Sequence, residues 1–231
     1  MVWALVAGAV TGLVRIDVWI PGVGHLGSAL IAVTFLYAPI IAGRLRGEEL
    51  EDYGFVTQPV GRGLRQAGVA MLVIFPLFAF AYFAFYEVAC HSDLLRHLVP
   101  RGMCSRYGSV AGLHWPRLGA DFWTFVAVQL VVVALTEELF FRGFLLRLLE
   151  RRFPPRWRPG GGGVGLALVL SSLAFALVHL PKDGDPRALA TFFPGLLFGW
   201  MRSATGSILA STLTHAGSNI LVRLLDLAVL R

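Results

Sequence analysis

The fold is decided by residues 130–149, which read Leu-Val-Val-Val-Ala-Leu-Thr-Glu-Glu-Leu-Phe-Phe-Arg-Gly-Phe-Leu-Leu-Arg-Leu-Leu. This apolar run carries two adjacent carboxylates, Glu137 and Glu138, and one guanidinium, Arg142. An ionisable side chain in hydrocarbon costs about 3 kcal/mol or more, so these groups need polar partners. Arg142 follows Glu138 by four residues, which places both on one helix face, whereas Glu137 points about 100° away. The stretch predicts a membrane helix with an ion pair and a second carboxylate directed at another element.

Composition places the whole chain in a membrane. Of its 231 residues, 56% are hydrophobic and 15% are charged, against about 45–50% and about 25% in soluble domains. We expect one integral membrane domain over residues 1–231, in which residues 1–120 form N-terminal helices and residues 121–231 form the core that carries the polar motifs. The net charge of +6 comes from arginines in loops and helix ends, where they contact lipid head groups. No compact basic face with interleaved aromatic residues occurs, which argues against nucleic acid as a partner.

Apolar runs separated by polar segments predict an all-α fold, a polytopic transmembrane bundle of seven or eight helices. The central helix is expected to begin with an N-cap at Asp121 and to end at Arg152. The sixth span is expected to bend at Pro194. The other predicted spans are residues 1–14, 22–43, 67–86, 164–180, 188–201 and 207–222, and residues 224–230 extend the last of them or form an eighth helix.

Basic residues in the connecting loops predict the orientation. The loops after the second, fourth and sixth spans contain ten Lys or Arg residues, and the loops after the first, third and fifth contain seven. Under the positive-inside rule this places the N-terminus in the cytoplasm and the loop of residues 90–120 outside. Cys90 and Cys104 share that loop. Their spacing is compatible with a disulfide in an oxidising compartment and equally with two unlinked thiols.

Three further polar groups lie in predicted spans of the second half. His179 ends one span, and His215 and Asn219 lie four residues apart on one face of the last. Taken singly, such a histidine is most often a satisfied core residue, and an intramembrane ion pair often serves packing alone. Together with the glutamates, these groups are expected to meet in one hydrated cavity, because each of them needs a polar partner.

This set of side chains suits hydrolysis of a carbonyl group. A carboxylate and a histidine can deprotonate a water, and a second histidine with an amide can donate hydrogen bonds to the oxyanion that forms. Glu137 is the expected base, because Arg142 holds Glu138 in its charged form. No serine nearby stands in a nucleophile motif, so a serine mechanism is disfavoured.

The ordered motifs resemble the signature of a known family, the CPBP intramembrane proteases. This group includes CAAX prenyl-protease 2 and the bacteriocin-processing Abi proteins. The resemblance covers residues 122–222 and implies an eight-helix membrane fold with a glutamate-dependent endopeptidase activity. The motifs that carry it are Glu137-Glu138-x-x-x-Arg142, Phe175-x-x-x-His179 and His215-x-x-x-Asn219.

The resemblance also implies a role for each motif residue. Glu137 and His179 would bind and activate the water. His215 and Asn219 would form the oxyanion site. The supporting residues would be Glu138, Arg142 and, as part of the cavity lining, Phe175.

Members of this family cut prenylated CAAX tails, process peptides or trim C-terminal sorting signals, as the myxosortase-like members do. For this chain we expect a protein or peptide substrate with a hydrophobic C-terminal segment, and a location among the lipids of a bacterial inner membrane. Three alternatives are a zinc protease with Glu137, His179 and His215 as ligands, a catalytically silent binding or immunity protein, and a proton-coupled transporter. A mechanism without a cofactor is favoured because no His-Glu-x-x-His helix is present. A transporter is disfavoured because the two halves show no inverted repeat.

Overall fold

The computed structural model of the protein describes residues 2–20, 24–56 and 58–230, without the side chains of residues 182 and 183. Within these residues the chain forms eight helices and one two-stranded hairpin, which confirms the predicted all-α bundle. The helices are α1 Val2–Leu13, α2 Leu26–Arg44, α3 Val60–Cys90, α4 Met103–Arg106, α5 Ala120–Arg152, α6 Leu166–Asp183, α7 Phe192–Thr205 and α8 Leu209–Val229. The strands β1 Trp19–Ile20 and β2 Gly24–His25 are antiparallel.

Three of the helices, α2, α3 and α5, are long and apolar enough to cross a membrane. The first predicted span differs from the structure, because α1 has 12 residues, about 18 Å, where a crossing needs about 20 residues. Its Val6 and Val10 are instead buried in the main hydrophobic core. The second span was predicted from residue 22. Residues 22 and 23 lie outside the described part of the chain, and the helix begins at Leu26.

Two local predictions about helix ends were wrong. The N-cap of α5 is Gly119, and Asp121 lies in the first turn, where its charge still faces the positive end of the helix dipole. Pro194 does not divide the sixth span, because a short 3₁₀ segment ends at Thr191 and places this proline in the first turn of α7. A first-turn residue has no intrahelical acceptor for its N–H, so proline is tolerated there. Residues 224–229 extend α8.

The central helix α5 contains two π-helical segments. It is π-helical over Val128–Ala134 and again over Leu139–Leu145. The α-helical turn Leu135–Glu138, which carries both glutamates, lies between these segments. π-helical segments inside α-helices are frequent at functional sites. Because each widened turn shifts the phase of the side chains that follow, an ideal helical wheel does not describe the faces of α5.

We call the two ends of the bundle outer and inner after the orientation that the basic residues predict. The outer end is closed by the loop between α3 and α5. A disulfide joins Cys90 to Cys104, with a Cα–Cα distance of 5.3 Å, so of the two alternatives the linked pair is the one found. The loop is also anchored to the end of α8, because the Gly108 N–H donates to the Val229 carbonyl at 2.8 Å. A guanidinium from the α6–α7 connection, Arg187, donates to a carbonyl of the same loop.

The inner end is formed by the loop between α2 and α3. The Ile208 N–H donates to the Gly54 carbonyl at 2.9 Å, and the Ser207 hydroxyl donates to the Val56 carbonyl. Arg151, near the end of α5, pairs with Glu48 of this loop. The two sets of basic loops therefore lie at opposite ends of the bundle, as the predicted orientation requires.

Close packing of α6 and α7 depends on two glycines one helical turn apart. A Cβ atom on Gly199 would lie 2.4 Å from Leu168 Cδ1, and one on Gly195 would lie 3.2 Å from both Arg142 Nη2 and Ser172 Cβ. Small residues spaced by four allow membrane helices to approach closely. The approach of α7 brings the aromatic ring of Phe198 over the polar residues of α5 and α8.

Candidate active site

The centre of the site is a buried chain of three charged or polar groups. Glu138 Oε1 lies 3.3 Å from Arg142 Nη1 and 3.0 Å from His215 Nδ1. Glu138 and Arg142 are fully buried, and His215 is 5% exposed. The predicted pairing of Glu138 with Arg142 is present, and the contact with His215 adds a partner on α8. This carboxylate therefore links α5 to α8 through one oxygen atom.

Three aromatic rings enclose the guanidinium of Arg142. Its Cζ lies 4.0 Å from the ring centroid of Phe175, 5.4 Å from that of Phe198 and 5.8 Å from that of Phe141. Within the described residues, neither terminal nitrogen of Arg142 has a hydrogen-bond partner. The cation is thus held by the Glu138 ion pair and by ring faces, an arrangement that is strong only where water is excluded.

Glu137 faces two imidazole rings from different helices. Its Oε2 atom lies 3.9 Å from His179 Nε2 and 3.9 Å from His215 Nε2. All three residues are buried: Glu137 is 3% exposed, His179 is 8% exposed and His215 is 5% exposed. The two glutamates therefore have different surroundings, as predicted, since Glu138 faces the cation and Glu137 faces the histidines.

The second ring nitrogen of each histidine contacts an acceptor. His179 Nδ1 lies 2.8 Å from the Phe175 carbonyl oxygen, and His215 Nδ1 lies 3.0 Å from the Glu138 carboxylate. A carbonyl oxygen and an ionised carboxylate can only accept. Each Nδ1 therefore carries the proton in these contacts, which directs Nε2 of both rings at Glu137.

Phe175 organises the site although it has no polar group. Its ring packs edge-on against His179 at 4.7 Å and against His215 at 5.8 Å between centroids, and its face covers Arg142. The opposite side of His215 stacks on Phe198 at 5.1 Å. Phe175 thus separates the cation from the histidines while holding all three in place.

Asn219 lies one turn beyond His215 on α8 but has a different partner. Its Nδ2 donates to Gln129 Oε1 at 2.8 Å. The structure thus brings five of the six predicted site residues into one connected cluster, and places the sixth on a neighbouring amide pair. The five are Glu137, Glu138, Arg142, His179 and His215.

Glu137, His179 and His215 carry side-chain atoms of the kinds that ligate zinc. No group of three or more His, Cys, Asp or Glu side chains with the geometry to hold an ion occurs among the described residues. Glu137, His179 and His215 converge with 3.9 Å from the carboxylate oxygen to each ring nitrogen.

Comparison with protein families identifies the segment that contains this site. Residues 119–221 match the family model described as Type II CAAX prenyl endopeptidase Rce1-like. The chain is Rce1-like over this segment. The resemblance inferred from the three motifs is thereby confirmed over this segment. Together with the three helices that are long and apolar enough to cross a membrane, the match indicates an integral membrane protein. Comparison with curated proteins and with solved structures found no match.

The Rce1-like segment contains one polar residue that the sequence reasoning missed. Gln129 lies in the uncharged first half of α5, within a run that is otherwise mostly apolar. The available signal was the isolated amide itself, because an amide in hydrocarbon requires a partner. Two turns separate it from Glu137, and its partner Asn219 belongs to the third motif.

A second missed element lies outside the Rce1-like segment and supports it from the inner side. Tyr53 is fully buried, packs edge-on against Phe144 at 5.2 Å and donates to Glu48 Oε2 at 2.7 Å. Burial, followed by this hydrogen bond, raises the pKa of the Tyr53 hydroxyl to about 12. The same bond and Arg151 lower the pKa of the Glu48 carboxyl. A Cβ atom on Gly143 would lie 2.6 Å from the Tyr53 carbonyl, so this loop rests directly on α5 beside Arg142.

Proposed function

We propose that this protein is a glutamate-dependent intramembrane endopeptidase. The observation that carries the proposal is the convergence of Glu137 Oε2 with Nε2 of His179 and of His215, at 3.9 Å each, in a buried site. A carboxylate and an imidazole arranged around one point can hold a water and remove its proton. The Rce1-like segment supports the same class of reaction.

In this mechanism the water is held by the facing groups. Polar atoms separated by 3.9 Å are beyond direct hydrogen-bonding distance, and one water at about 2.8 Å from each can bridge them. The His179 Nδ1–H donates a hydrogen bond to the Phe175 carbonyl oxygen. The Nε2 atom of the neutral ring therefore accepts a hydrogen bond from the water. The other proton of the water points at Glu137, and the oxygen lone pair is directed at the substrate.

The reaction proceeds by attack of the water oxygen on the peptide carbonyl carbon. Glu137 takes the proton as the new C–O bond forms. The oxyanion of the tetrahedral intermediate accepts hydrogen bonds from the second Nδ2 hydrogen of Asn219 and from His215 when its Nε2 carries a proton. Glu137 then gives its proton to the amide nitrogen, the C–N bond breaks, and a carboxylic acid and an amine leave.

Glu138 and Arg142 act as positioning residues. Glu138 accepts from His215 Nδ1, which fixes the orientation of that ring. Arg142 holds Glu138 in its ionised form from the other side. In this mechanism neither Glu138 nor Arg142 contacts the substrate.

The proposed substrate is a protein or peptide with a hydrophobic C-terminal segment, which reaches the site within the bilayer. The glutamates lie in the turn Leu135–Glu138, just past the middle of α5, and Arg142 lies one turn further towards the inner loop. A disulfide persists in an oxidising compartment. This supports a bacterial inner membrane in which the site opens towards the cytoplasmic side.

The test is hydrolysis of a membrane peptide by the purified full-length protein. A panel of fluorogenic peptides with apolar C-terminal segments, with and without a prenylated cysteine, is cleaved by wild type and by Glu137→Ala. We expect cleavage by wild type and a rate at least 100-fold lower for the variant, because loss of a general base costs about 10²–10⁴-fold. Undiminished cleavage by Glu137→Ala would rule out the mechanism.

The same assay decides the role of metal. Cleavage that is insensitive to a strong zinc chelator and lost in Glu137→Ala supports a water activated by the carboxylate and histidine. Cleavage lost with the chelator and restored by added zinc would make Glu137, His179 and His215 metal ligands. Thr124→Val, a change on an exposed turn of α5, serves as the matched control for substitution in this helix.

A further inference from the structure

One hollow lies at the outer end of the bundle, away from the glutamates. Its volume is about 610 Å³. A second hollow of about 570 Å³ shares two of its lining residues, Arg117 and Leu227. We call the two together the outer groove. Sixteen residues of α5 separate Asp121, which lines it, from Glu137, about 24 Å at 1.5 Å per residue. The outer groove is therefore distinct from the proposed active site.

The walls of the outer groove carry two guanidinium groups and one carboxylate. Arg117 comes from the outer loop, Arg223 from the last turns of α8, and Asp121 from the first turn of α5. Neither arginine forms an ion pair or a side-chain hydrogen bond with another described residue. The three groups leave one net positive charge, which suits a ligand with one net negative charge.

The floor of the outer groove is apolar. It is formed by Phe122, Phe125 and Leu227, from the same helix ends that carry the charges. Such a floor can accept the glycerol and first methylene groups of an acyl chain. A free anion would use the arginines and leave this apolar surface without a partner.

The surroundings place the outer groove at a membrane–water interface. Trp115 is 90% exposed and lines the second hollow, and Trp123, one turn into α5, is 61% exposed. Tryptophan is enriched at the level of lipid head groups, where its ring is apolar and its N–H is hydrated. The disulfide in the same loop agrees with the orientation that the basic residues predict, because disulfides persist in oxidising compartments.

We propose that the outer groove binds one anionic glycerophospholipid of the outer leaflet. Its phosphodiester is held by Arg117 and Arg223, because guanidinium groups recognise phosphate oxygens in a bidentate geometry. A headgroup hydroxyl donates to Asp121, and the start of the acyl chains covers Leu227 and the two phenylalanines. The bound lipid joins α5, α8 and the outer loop.

The test is thermal unfolding of the full-length protein in a neutral detergent, with lipid titrated in. Phosphatidylglycerol is the probe, because it has one net negative charge and headgroup hydroxyls. Phosphatidylcholine, phosphatidylethanolamine and inorganic phosphate are the comparison ligands. We expect a saturable rise of the unfolding midpoint with phosphatidylglycerol alone, since a ligand that binds the native state stabilises it in proportion to its occupancy.

Variants locate the effect. The double variant Arg117→Gln with Arg223→Gln loses two charge-assisted contacts at a surface. It should therefore need about ten times more phosphatidylglycerol to reach half of the maximal rise in unfolding midpoint. Leu227→Trp should do the same by filling the groove without a change of charge, which keeps the test valid if the double variant fails to fold. Arg101→Gln, an exposed arginine of the same loop outside the groove, should titrate as wild type.

Three results would overturn the proposal. An equal shift with phosphatidylcholine or phosphatidylethanolamine would show no selection for net negative charge. The whole shift with inorganic phosphate would show an anion site without a lipid. An unchanged phosphatidylglycerol titration in both groove variants would show binding elsewhere on the protein.

Discussion

The buried pair of Glu138 and Arg142 allows a quantitative prediction for Glu138→Gln. The substitution keeps the shape of the side chain and an oxygen that accepts from His215 Nδ1. It removes the negative charge that lies 3.3 Å from Arg142. The cation–π contacts of Arg142 with Phe175 and Phe198 are present in both proteins, so they cancel in the comparison. What remains is an arginine cation that is fully buried without its carboxylate.

The expected cost follows from that uncompensated charge. Removal of one partner of a buried ion pair lowers the free energy of unfolding by about 3–5 kcal/mol. For a chain of 150–250 residues, 1 kcal/mol corresponds to roughly 2–4 °C in the unfolding midpoint. We therefore expect the midpoint of Glu138→Gln to fall by roughly 6–20 °C.

The measurement is thermal unfolding of the purified protein in one neutral detergent, followed by tryptophan fluorescence. Glu51→Gln removes an exposed carboxylate of the inner loop and should leave the midpoint unchanged. The double variant Glu138→Gln with Arg142→Met removes both charges and should recover most of the loss, because a buried ion pair can often be replaced by apolar residues of similar volume.

Two outcomes would refute this reasoning. A midpoint of Glu138→Gln within about 2 °C of wild type, less than about 1 kcal/mol, would mean that Arg142 has no need of its carboxylate. A double variant no more stable than the single one would place the cost in His215 or in packing, and not in the unpaired cation.

Three further predictions concern the scaffold around the site. Gly199→Ala should lower the free energy of unfolding by about 1–3 kcal/mol, because its methyl group would overlap a leucine of α6. Gly68→Ala has open space around the added methyl group and should not lower the free energy of unfolding in the same assay. Gln129→Leu should lower kcat about tenfold with KM unchanged, because Gln129 positions the amide of Asn219. In an Asn219→Ala background the same substitution should lower kcat no further, and additive losses would show that the two residues act independently. The Cys90–Cys104 disulfide should keep both thiols unlabelled by a maleimide until a reductant is added, and labelling without reductant would contradict the outer location of this loop.

Much of the fold could be predicted from the sequence because hydrocarbon leaves few solutions. A run of some twenty apolar residues that satisfies its own backbone hydrogen bonds in a membrane is a helix. The positions of α2, α3, α5, α6 and α8 were therefore recovered to within several residues. Helix ends were recovered less well, as the N-cap at Gly119 and the start of α7 show, because they depend on local backbone geometry.

The length of α1 could not be judged from hydropathy. Its residues are apolar enough for a membrane span, yet the helix ends at Leu13 and buries Val6 and Val10 against other helices. The hydropathy of an apolar residue is the same whether its side chain faces lipid or protein. Only the packed structure separates the two environments.

For the site, the sequence alone determined which residues need partners, since a carboxylate, a guanidinium or an imidazole in an apolar span has no water to satisfy it. It also determined that Glu138 can reach Arg142, because four residues make one helical turn. The tertiary structure decided the partners that lie on other helices. It paired Glu138 with His215, paired Asn219 with Gln129 and placed the ring of Phe175 over Arg142. These choices depend on how α6, α7 and α8 pack around α5 and on the two π-helical segments that rotate its faces, and neither is encoded in the spacing of residues along one helix.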